Sequence, residues 1–284
     1  MVRRGLHKND ARVIFVQAAS GTSTLAFDSA PSDPVTAAPP RTASHRLQPL
    51  RAARALRRLI ADKEDTSQVF EIMRALSGNT VVRGYRRLIS TAHGGRIAYE
   101  REEFCERLSD TAWLNTFGPG TVGEAYRNFI APRGLSAEGL AEESRKTAEG
   151  EIDAKHPLAW YGRRMRDVHD VWHVLTGYGT DGLGEACVVA FSYSQTKSLG
   201  FALIAHAGAH QYQKIGNGHP YRKAVMEAFR NGKRAAWLPE VDYPALFAEN
   251  LEAARARLNI PRPTTYLSIP EDCRDRPLTR KHDA

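Results

Sequence analysis

The apolar residues of this chain recur at intervals of three and four, and this spacing restricts the folds open to it. Between residues 45 and 264 it predicts a succession of helices, beginning with an amphipathic helix over residues 46–61. The alternation of apolar and polar residues, bounded by tight turns, that predicts β-hairpins is absent from the sequence. The fold class predicted is therefore all-α, with a single multi-helix domain over residues 45–264.

Capping residues and prolines predict where several helices begin and end. A helix that starts after Asp65 should stop at Gly78. A late helix that carries Leu246 to Leu258 should end before Pro261. Further helices are predicted over residues 81–90, 101–109, 121–130 and 136–148.

The two ends of the chain differ in composition from this helical region. Residues 21–44 are rich in Ser, Thr, Ala and Pro, which cannot bury enough apolar surface to offset the entropy lost on ordering. We therefore predict a disordered leader over residues 1–44 and a flexible tail over residues 265–284. The apolar patch in the leader is too short for a signal peptide, and no apolar run is long enough to span a bilayer.

Charge and cysteine content limit the partners and the compartment. Forty Lys and Arg against 32 Asp and Glu give a net charge of +8, which favours anionic partners. No nucleic-acid-binding motif accompanies this charge, so nucleic acid is not an expected partner. Cys105, Cys187 and Cys273 are too far apart for a zinc knuckle and odd in number, which predicts a reducing compartment.

The stretch from Trp160 to Glu185 holds the residues best suited to chemistry. His169 and His173 stand one helical turn apart, and Asp170 and Arg166 fall within the same arc, roughly 100° wide. Two imidazoles at this spacing can bind one metal ion, and a carboxylate can complete the ligand set. An apolar stripe runs beside them: Leu158, Tyr161, Met165, Val168, Trp172 and Leu175.

Glu185 is the second candidate carboxylate. On one continuous helix it would lie about 18 Å beyond His173, so it can be a ligand only if the chain reverses. Five Gly and Asp residues between positions 177 and 184 supply a turn, and a helical run resumes after it. A helix–turn–helix could therefore return Glu185 to the two histidines.

Two interpretations of this motif remain open at the level of the residues. In the first, Arg166 pairs with Asp170 and the histidines bond to backbone, which leaves only a polar patch. In the second, His169, Asp170, His173 and Glu185 bind a divalent metal. Their nitrogen and oxygen ligands would suit zinc, iron, manganese or cobalt. The apolar run from Gly184 to His210 also has two interpretations: a buried pair of core helices, or the wall of a groove for a prenyl tail.

The motif resembles the metal signature of the Coq-four family of ubiquinone biosynthesis proteins. The resemblance rests on His169-Asp170-x-x-His173, followed after eleven residues by Glu185, and on the residues around them. It extends over roughly residues 65–262, including Gly123-Glu124-Ala125-Tyr126 and the late segment Trp237, Asp242-Tyr243, Leu251-Glu252, Arg255 and Leu258-Asn259-Ile260.

Several expectations follow from that resemblance. It implies an all-helical protein, often a homodimer, that holds a divalent metal, usually zinc, through His169, Asp170, His173 and Glu185. It implies oxidative decarboxylation of a polyprenylated hydroxybenzoate, in which the C1 carboxylate is replaced by hydroxyl, or organisation of the biosynthetic complex. Arg166 could pair with the substrate carboxylate as a catalytic residue. The other expected partners are ubiquinone-biosynthesis proteins.

The resemblance also implies peripheral attachment to a membrane. The expected location is the cytoplasmic face of the cell membrane or, in a eukaryote, the matrix side of the mitochondrial inner membrane. Residues 46–58 carry five arginines and no acid, so this segment could lie on an acidic bilayer or pack on its own domain. Two other functions stay open: a non-catalytic prenyl-lipid-binding scaffold with a structural metal, and a metal-dependent hydrolase.

Overall fold

The computed structural model describes residues 46–62, 65, 67–131 and 155–275, and the described part of the chain is helical without a strand. This confirms the predicted all-α fold. The helices are α1 (Pro49–Ala61), α2 (Ser67–Leu76), α3 (Thr80–Leu88), α4 (Ala92–Glu100), α5 (Phe104–Ser109), α6 (Thr111–Leu114), α7 (Val122–Ile130), α8 (Pro157–Asp167), α9 (His169–Thr176), α10 (Gly182–Thr196), α11 (Leu199–Gln213), α12 (Tyr221–Arg234), α13 (Tyr243–Phe247), α14 (Leu251–Arg257), α15 (Thr264–Leu267) and α16 (Glu271–Arg274). None of the described helices is both long enough and apolar enough to cross a bilayer.

Helix α10 forms the centre of the fold. Every residue from Leu183 to Ser192 is buried, and the helix packs against both α11 and α12. A helix that is apolar on all sides is stable only where neighbours cover it all round. For α10 the structure therefore favours the interpretation as a core helix over that as an open groove wall.

Around this centre the other helices pack in pairs. Helix α1 packs on α2, α2 on α11, and α9 on α7, α10 and α14. A smaller cluster joins α3, α4 and α8 through Leu88, Ile97 and Trp160. These contacts hold α9 and the start of α10 against each other, and those two segments carry the ligand-type side chains of the sequence motif.

Several predicted boundaries need correction. The single helix expected through Trp160 and Leu175 is two helices, because Val168 adopts ψ −1° and interrupts the helical geometry between α8 and α9. The single helix expected from Leu246 to Leu258 is also two, because Asn250 leaves helical geometry to cap α14 with its side chain. Helices α4, α6 and α12 were not predicted.

The predicted flexible tail is wrong over residues 265–275. That segment contains α16 and most of α15, and it buries Tyr266, Ile269 and Cys273 against the domain. Apolar side chains spaced by three and four in a short segment were enough to order it. The leader over residues 1–44, the helix predicted over residues 136–148 and the last nine residues of the tail lie outside the described residues.

Helix α1 packs mainly its small residues, not most of its larger apolar ones, against the core. Ala52, Ala55 and Leu59 are buried, whereas Leu50 is 75% exposed. The small alanines let α1 approach α2 closely, and Arg51 pairs with Glu71 of α2. The larger apolar side chain is left in solvent.

Candidate metal centre

The candidate site stands on α9 and the first turn of α10. Helix α9 ends at Gly177, whose φ of +74° is a left-handed conformation that glycine adopts without a steric cost. The chain then reverses, and Asp181 caps α10 by accepting a hydrogen bond from the Gly184 amide at 2.9 Å. This reversal brings Glu185 back to the histidines of α9, as the glycine-rich turn predicted.

The two imidazoles face each other. His169 Nε2 and His173 Nε2 lie 3.2 Å apart, and His173 Nδ1 lies 3.1 Å from the backbone oxygen of Tyr178. Because a carbonyl oxygen can only accept, this contact places a proton on Nδ1, so that in the neutral imidazole Nε2 is the nitrogen that can bind a metal. Phe129 of α7 stacks on the His173 ring with centroids 5.5 Å apart, which holds the ring plane.

Glu185 approaches both imidazoles. Its Oε1 lies 3.4 Å from His173 Nε2, and its Oε2 lies 3.6 Å from His169 Nε2. The side chain is 2% exposed, and both carboxylate oxygens are buried without a hydrogen-bond donor. Asp170 is half-buried on the same helix, and ligand atoms of His169, Asp170 and His173 lie within 4.8 Å of one another. The structure thus places Asp170 beside the two histidines on their own helix and Glu185 beside the same two imidazoles from α10.

The protonation equilibria of this cluster reflect its close packing. Burial opposes ionisation of Glu185, but the neighbouring imidazoles of His173 and His169 outweigh it and lower the pKa of the carboxyl to about 2. Burial opposes protonation of His173, yet the Glu185 carboxylate raises the pKa of this imidazole above its ordinary value. Glu185 is therefore ionised at neutral pH and strongly favours a positive charge beside it.

The donor set fits a divalent metal. A buried carboxylate that no donor reaches costs several kcal/mol unless a cation compensates it, on the order of the effective penalty for burying an ion. Two imidazole nitrogens and two carboxylates are the ligand types that zinc accepts in proteins. The two oxygens of Glu185 without a hydrogen-bond partner, with His169 and His173 beside them, are the observation that favours a metal site over a polar patch.

Arg166, the predicted catalytic residue, is placed by an acid that the sequence motif did not identify. Its Nε and Nη2 donate to Asp167 Oδ1 at 2.7 and 2.6 Å. The Asp167 side chain is 1% exposed, and burial raises the pKa of its carboxyl despite the neighbouring guanidinium. The pairing with Asp170 that the spacing indicated is thus replaced by one with the adjacent residue, because Asp167 is fully enclosed and Asp170 is only half-buried.

Further residues hold α9 in place from outside the motif. Trp172 donates through Nε1 to the Tyr243 hydroxyl at 2.7 Å, and that hydroxyl donates to the Leu238 oxygen. Arg255 of α14 donates to the backbone oxygens of Val174 and Leu175, both at 2.9 Å. Trp172, Tyr243 and Arg255 were part of the family resemblance, but their spacing alone gave no sign of these contacts.

The described part of the chain is all-helical and has a candidate metal centre where α9 meets the first turn of α10. The profile of the family described as "Coenzyme Q (ubiquinone) biosynthesis protein Coq4" matches residues 48–264. The chain therefore belongs to the Coq4 family, the Coq-four family that its motif resembles, and is a ubiquinone biosynthesis protein of that family.

Curated relatives agree with this membership. The chain is 28% identical to the ubiquinone biosynthesis protein COQ4 homolog, mitochondrial, of Danio rerio, over 66% of this chain and 67% of the relative. It is 27% identical to the Rattus norvegicus homolog, over 61% and 63%. It is 24% identical to the COQ4 protein of Podospora anserina, over 66% and 58%. The match thus spans about two thirds of the length of these relatives or less.

A solved structure shares the fold. The crystal structure of a Nostoc punctiforme protein named for ubiquinone biosynthesis matches with a TM-score of 0.56, covering 76% of this chain and 99% of that one. At 17% identity this likeness concerns the fold alone.

Arg255→Ala should destabilise the protein by about 2–3 kcal/mol, since hydrogen bonds from a charged donor to the last carbonyls of α9 are lost. Arg257→Ala on the same helix breaks only an exposed ion pair with Glu249 and should cost less than about 1 kcal/mol. Denaturant unfolding of both variants measures the difference. If both variants lose the same unfolding free energy, Arg255 does not fix the end of α9.

Proposed function

We propose that this chain binds one divalent metal through His169, Asp170, His173 and Glu185, and that zinc is the first candidate. The proposal rests on the converging imidazoles and on the two buried oxygens of Glu185 that lack a donor. The cluster lies between α9 and the start of α10, both firmly packed, which suits a preorganised site.

The reaction we propose is oxidative decarboxylation of a polyprenylated hydroxybenzoate, in which hydroxyl replaces the C1 carboxylate. When bound, a divalent metal supplies a Lewis acid toward the carboxylate or phenolate oxygen of such a substrate. Replacement of carboxylate by hydroxyl is a two-electron oxidation of the ring compound: the carbon–carbon bond to the carboxylate breaks, CO₂ leaves and a carbon–oxygen bond forms. We propose dioxygen as the acceptor, reduced to hydrogen peroxide while water supplies the hydroxyl oxygen. The same protein would work beside other ubiquinone-biosynthesis proteins, and we propose that it does so as a homodimer.

Arg166 is the residue we propose for binding the substrate carboxylate. Asp167 holds the guanidinium through Nε and Nη2, which leaves Nη1 for a second anion. Arg166 is the second-last residue of α8, and His169 is the first residue of α9, so the two are close along the chain and a substrate carboxylate at Arg166 would lie near the proposed metal ligands. A guanidinium is suited to this role because it stays charged and has a fixed geometry.

The test is turnover by purified, metal-loaded protein supplied with a polyprenylated hydroxybenzoate, with product and released CO₂ followed by mass spectrometry. We expect product in air and none without oxygen, and we expect Arg166→Gln to lower kcat/KM at least tenfold, on the scale of a lost charge-assisted contact. Arg163→Gln is the matched control, since Arg163 of the same helix is engaged by Glu103 at 2.6 Å. Absence of turnover, with metal and prenyl lipid both bound, would favour the scaffold function over the enzyme.

We also propose peripheral attachment to an acidic membrane surface through α1, on the matrix side of the mitochondrial inner membrane in a eukaryote or the inner face of the cell membrane in a bacterium. Leu50 is 75% exposed and Leu47 is 44% exposed, and Arg54 and Arg57 are exposed on the same helix. Exposed leucines beside arginines suit a helix that rests on an anionic bilayer. The relatives from Danio rerio and Rattus norvegicus are named as mitochondrial proteins.

A further inference from the structure

The outer face of α12 concentrates positive charge without an acid. Projected on a helical wheel, five cations and Met226 share an arc of about 120°. The cations are Arg222, Lys223, Arg230, Lys233 and Arg234, and all are exposed. From Arg222 to Arg234 this cationic face runs about 18 Å along the helix.

Within the described part of the chain, none of these five side chains forms an ion pair. The helix has one acid, Glu227, which lies at the edge of this arc, about 20° beyond Arg234 on the wheel. Its carboxylate accepts hydrogen bonds from Thr264 Oγ1 and the Thr265 amide, both at 2.9 Å. Five positive charges thus share the arc with one carboxylate at its border, which leaves a net positive surface.

Stability of the helix does not account for this arrangement. Arg222 and Lys223 lie in the first turn of α12, where the helix dipole is positive and a cation is unfavourable, and no acid shares that turn. The opposite face, which includes Tyr221, Ala224 and Ala228, already provides the apolar contact with the core. Lys233 and Arg234 lie in the last turn, where the dipole favours a cation, but the dipole gives no reason for Arg222 and Lys223 at the other end.

We propose that the cationic face of α12 is a second membrane contact, which binds the anionic headgroups of an acidic bilayer by electrostatics alone. This proposal rests on the membrane attachment proposed above and assigns a separate surface to that attachment. A face of one sign, with Met226 as its only exposed apolar side chain, suits a partner that is uniformly negative and needs no register. A protein partner would require the aromatic and aliphatic anchors that form the centre of protein interfaces.

The two surfaces should differ in their response to salt. Each cation near an acidic leaflet is worth about 1 kcal/mol, which corresponds to about a fivefold change in binding, and this attraction is screened within a Debye length. Binding through α12 should therefore vanish at high salt. Binding through the exposed Leu50 of α1 and Leu47, which precedes it, should partly survive, because apolar insertion is not screened.

The experiment is cosedimentation of the full chain with vesicles of phosphatidylcholine containing about 30 mol% phosphatidylserine, at low and high salt. Arg222→Gln/Arg230→Gln should weaken binding about 25-fold at low salt, whereas Arg83→Gln/Arg86→Gln on α3, with the same loss of two charges, should have a smaller effect. Leu47→Ser/Leu50→Ser should instead lower the binding that persists at high salt.

Equal losses in the two arginine pairs would overturn the proposal, because net charge alone would explain them. If Arg222→Gln/Arg230→Gln binds the vesicles like the parent and only Leu47→Ser/Leu50→Ser binds less, the proposal is also overturned. The contact through α1 would then remain. Binding to a short RNA duplex that depends on Arg222 and Arg230, without such dependence on vesicles, would assign the face to nucleic acid instead. Circular dichroism of each variant confirms that the helices remain folded.

Discussion

Glu185→Gln is expected to lower metal affinity at least a hundredfold, and metal content after dialysis should fall from about one ion per chain to less than a tenth of that. The amide keeps the shape of the carboxylate but removes the anionic oxygens that lie 3.4 and 3.6 Å from the imidazoles. Elemental analysis of the purified variant gives the metal content, and circular dichroism gives the helicity, which should not change.

Glu227→Gln is the matched control, since it makes the same change from carboxylate to amide within the domain. The Glu227 carboxylate accepts its hydrogen bonds from Thr264 and Thr265. Its metal content should equal that of the parent. Unchanged metal in Glu185→Gln would remove Glu185 from the ligand set. A metal loss of similar size in both variants would show that a general loss of stability, and not a lost ligand, explains the result.

The grouping of the candidate ligand residues was predictable from sequence because its geometry is mostly local. His169 and His173 are held one turn apart by any helix, and the glycines before Glu185 make a reversal the natural interpretation. Helical spacing of apolar residues likewise predicted the fold class and most of the helices, since each buries one stripe against its neighbours. Both features depend on residues close together along the chain.

Features that depend on distant contacts were not predictable. Arg255 lies about eighty residues beyond the carbonyls it binds, and its partner oxygens belong to the backbone, which carries no sequence signal. Asp167 competes with Asp170 for Arg166, and only tertiary burial decides between them. The order of residues 265–275 depends on Tyr266 and Cys273 finding the domain surface, since short helices are marginal alone.

Gly184→Ala is expected to destabilise the protein by about 3 kcal/mol and to lower metal affinity as well. A Cβ at this position would overlap the Gly179 carbonyl oxygen and lie 2.8 Å from its carbon atom, so backbone must move against backbone. That contact is the closest approach in the reversal that carries Glu185 to His169 and His173. The melting temperature should fall by about 6–12 °C, on the scale for a domain of this size.

Gly162→Ala of α8 separates this close approach from the general effect of removing a helical glycine. A Cβ there meets no atom within 4 Å, so alanine should stabilise the helix by about 0.5–1 kcal/mol and leave the metal in place. If Gly184→Ala melts like the parent and binds metal like the parent, the turn can relax without moving Glu185. If it loses metal while its unfolding free energy hardly changes, the reversal matters for placing the ligand more than for holding the fold. The combined loss that we expect would mean that one close backbone contact serves both purposes, because the junction of α9 and α10 is at once part of the core and the frame of the site.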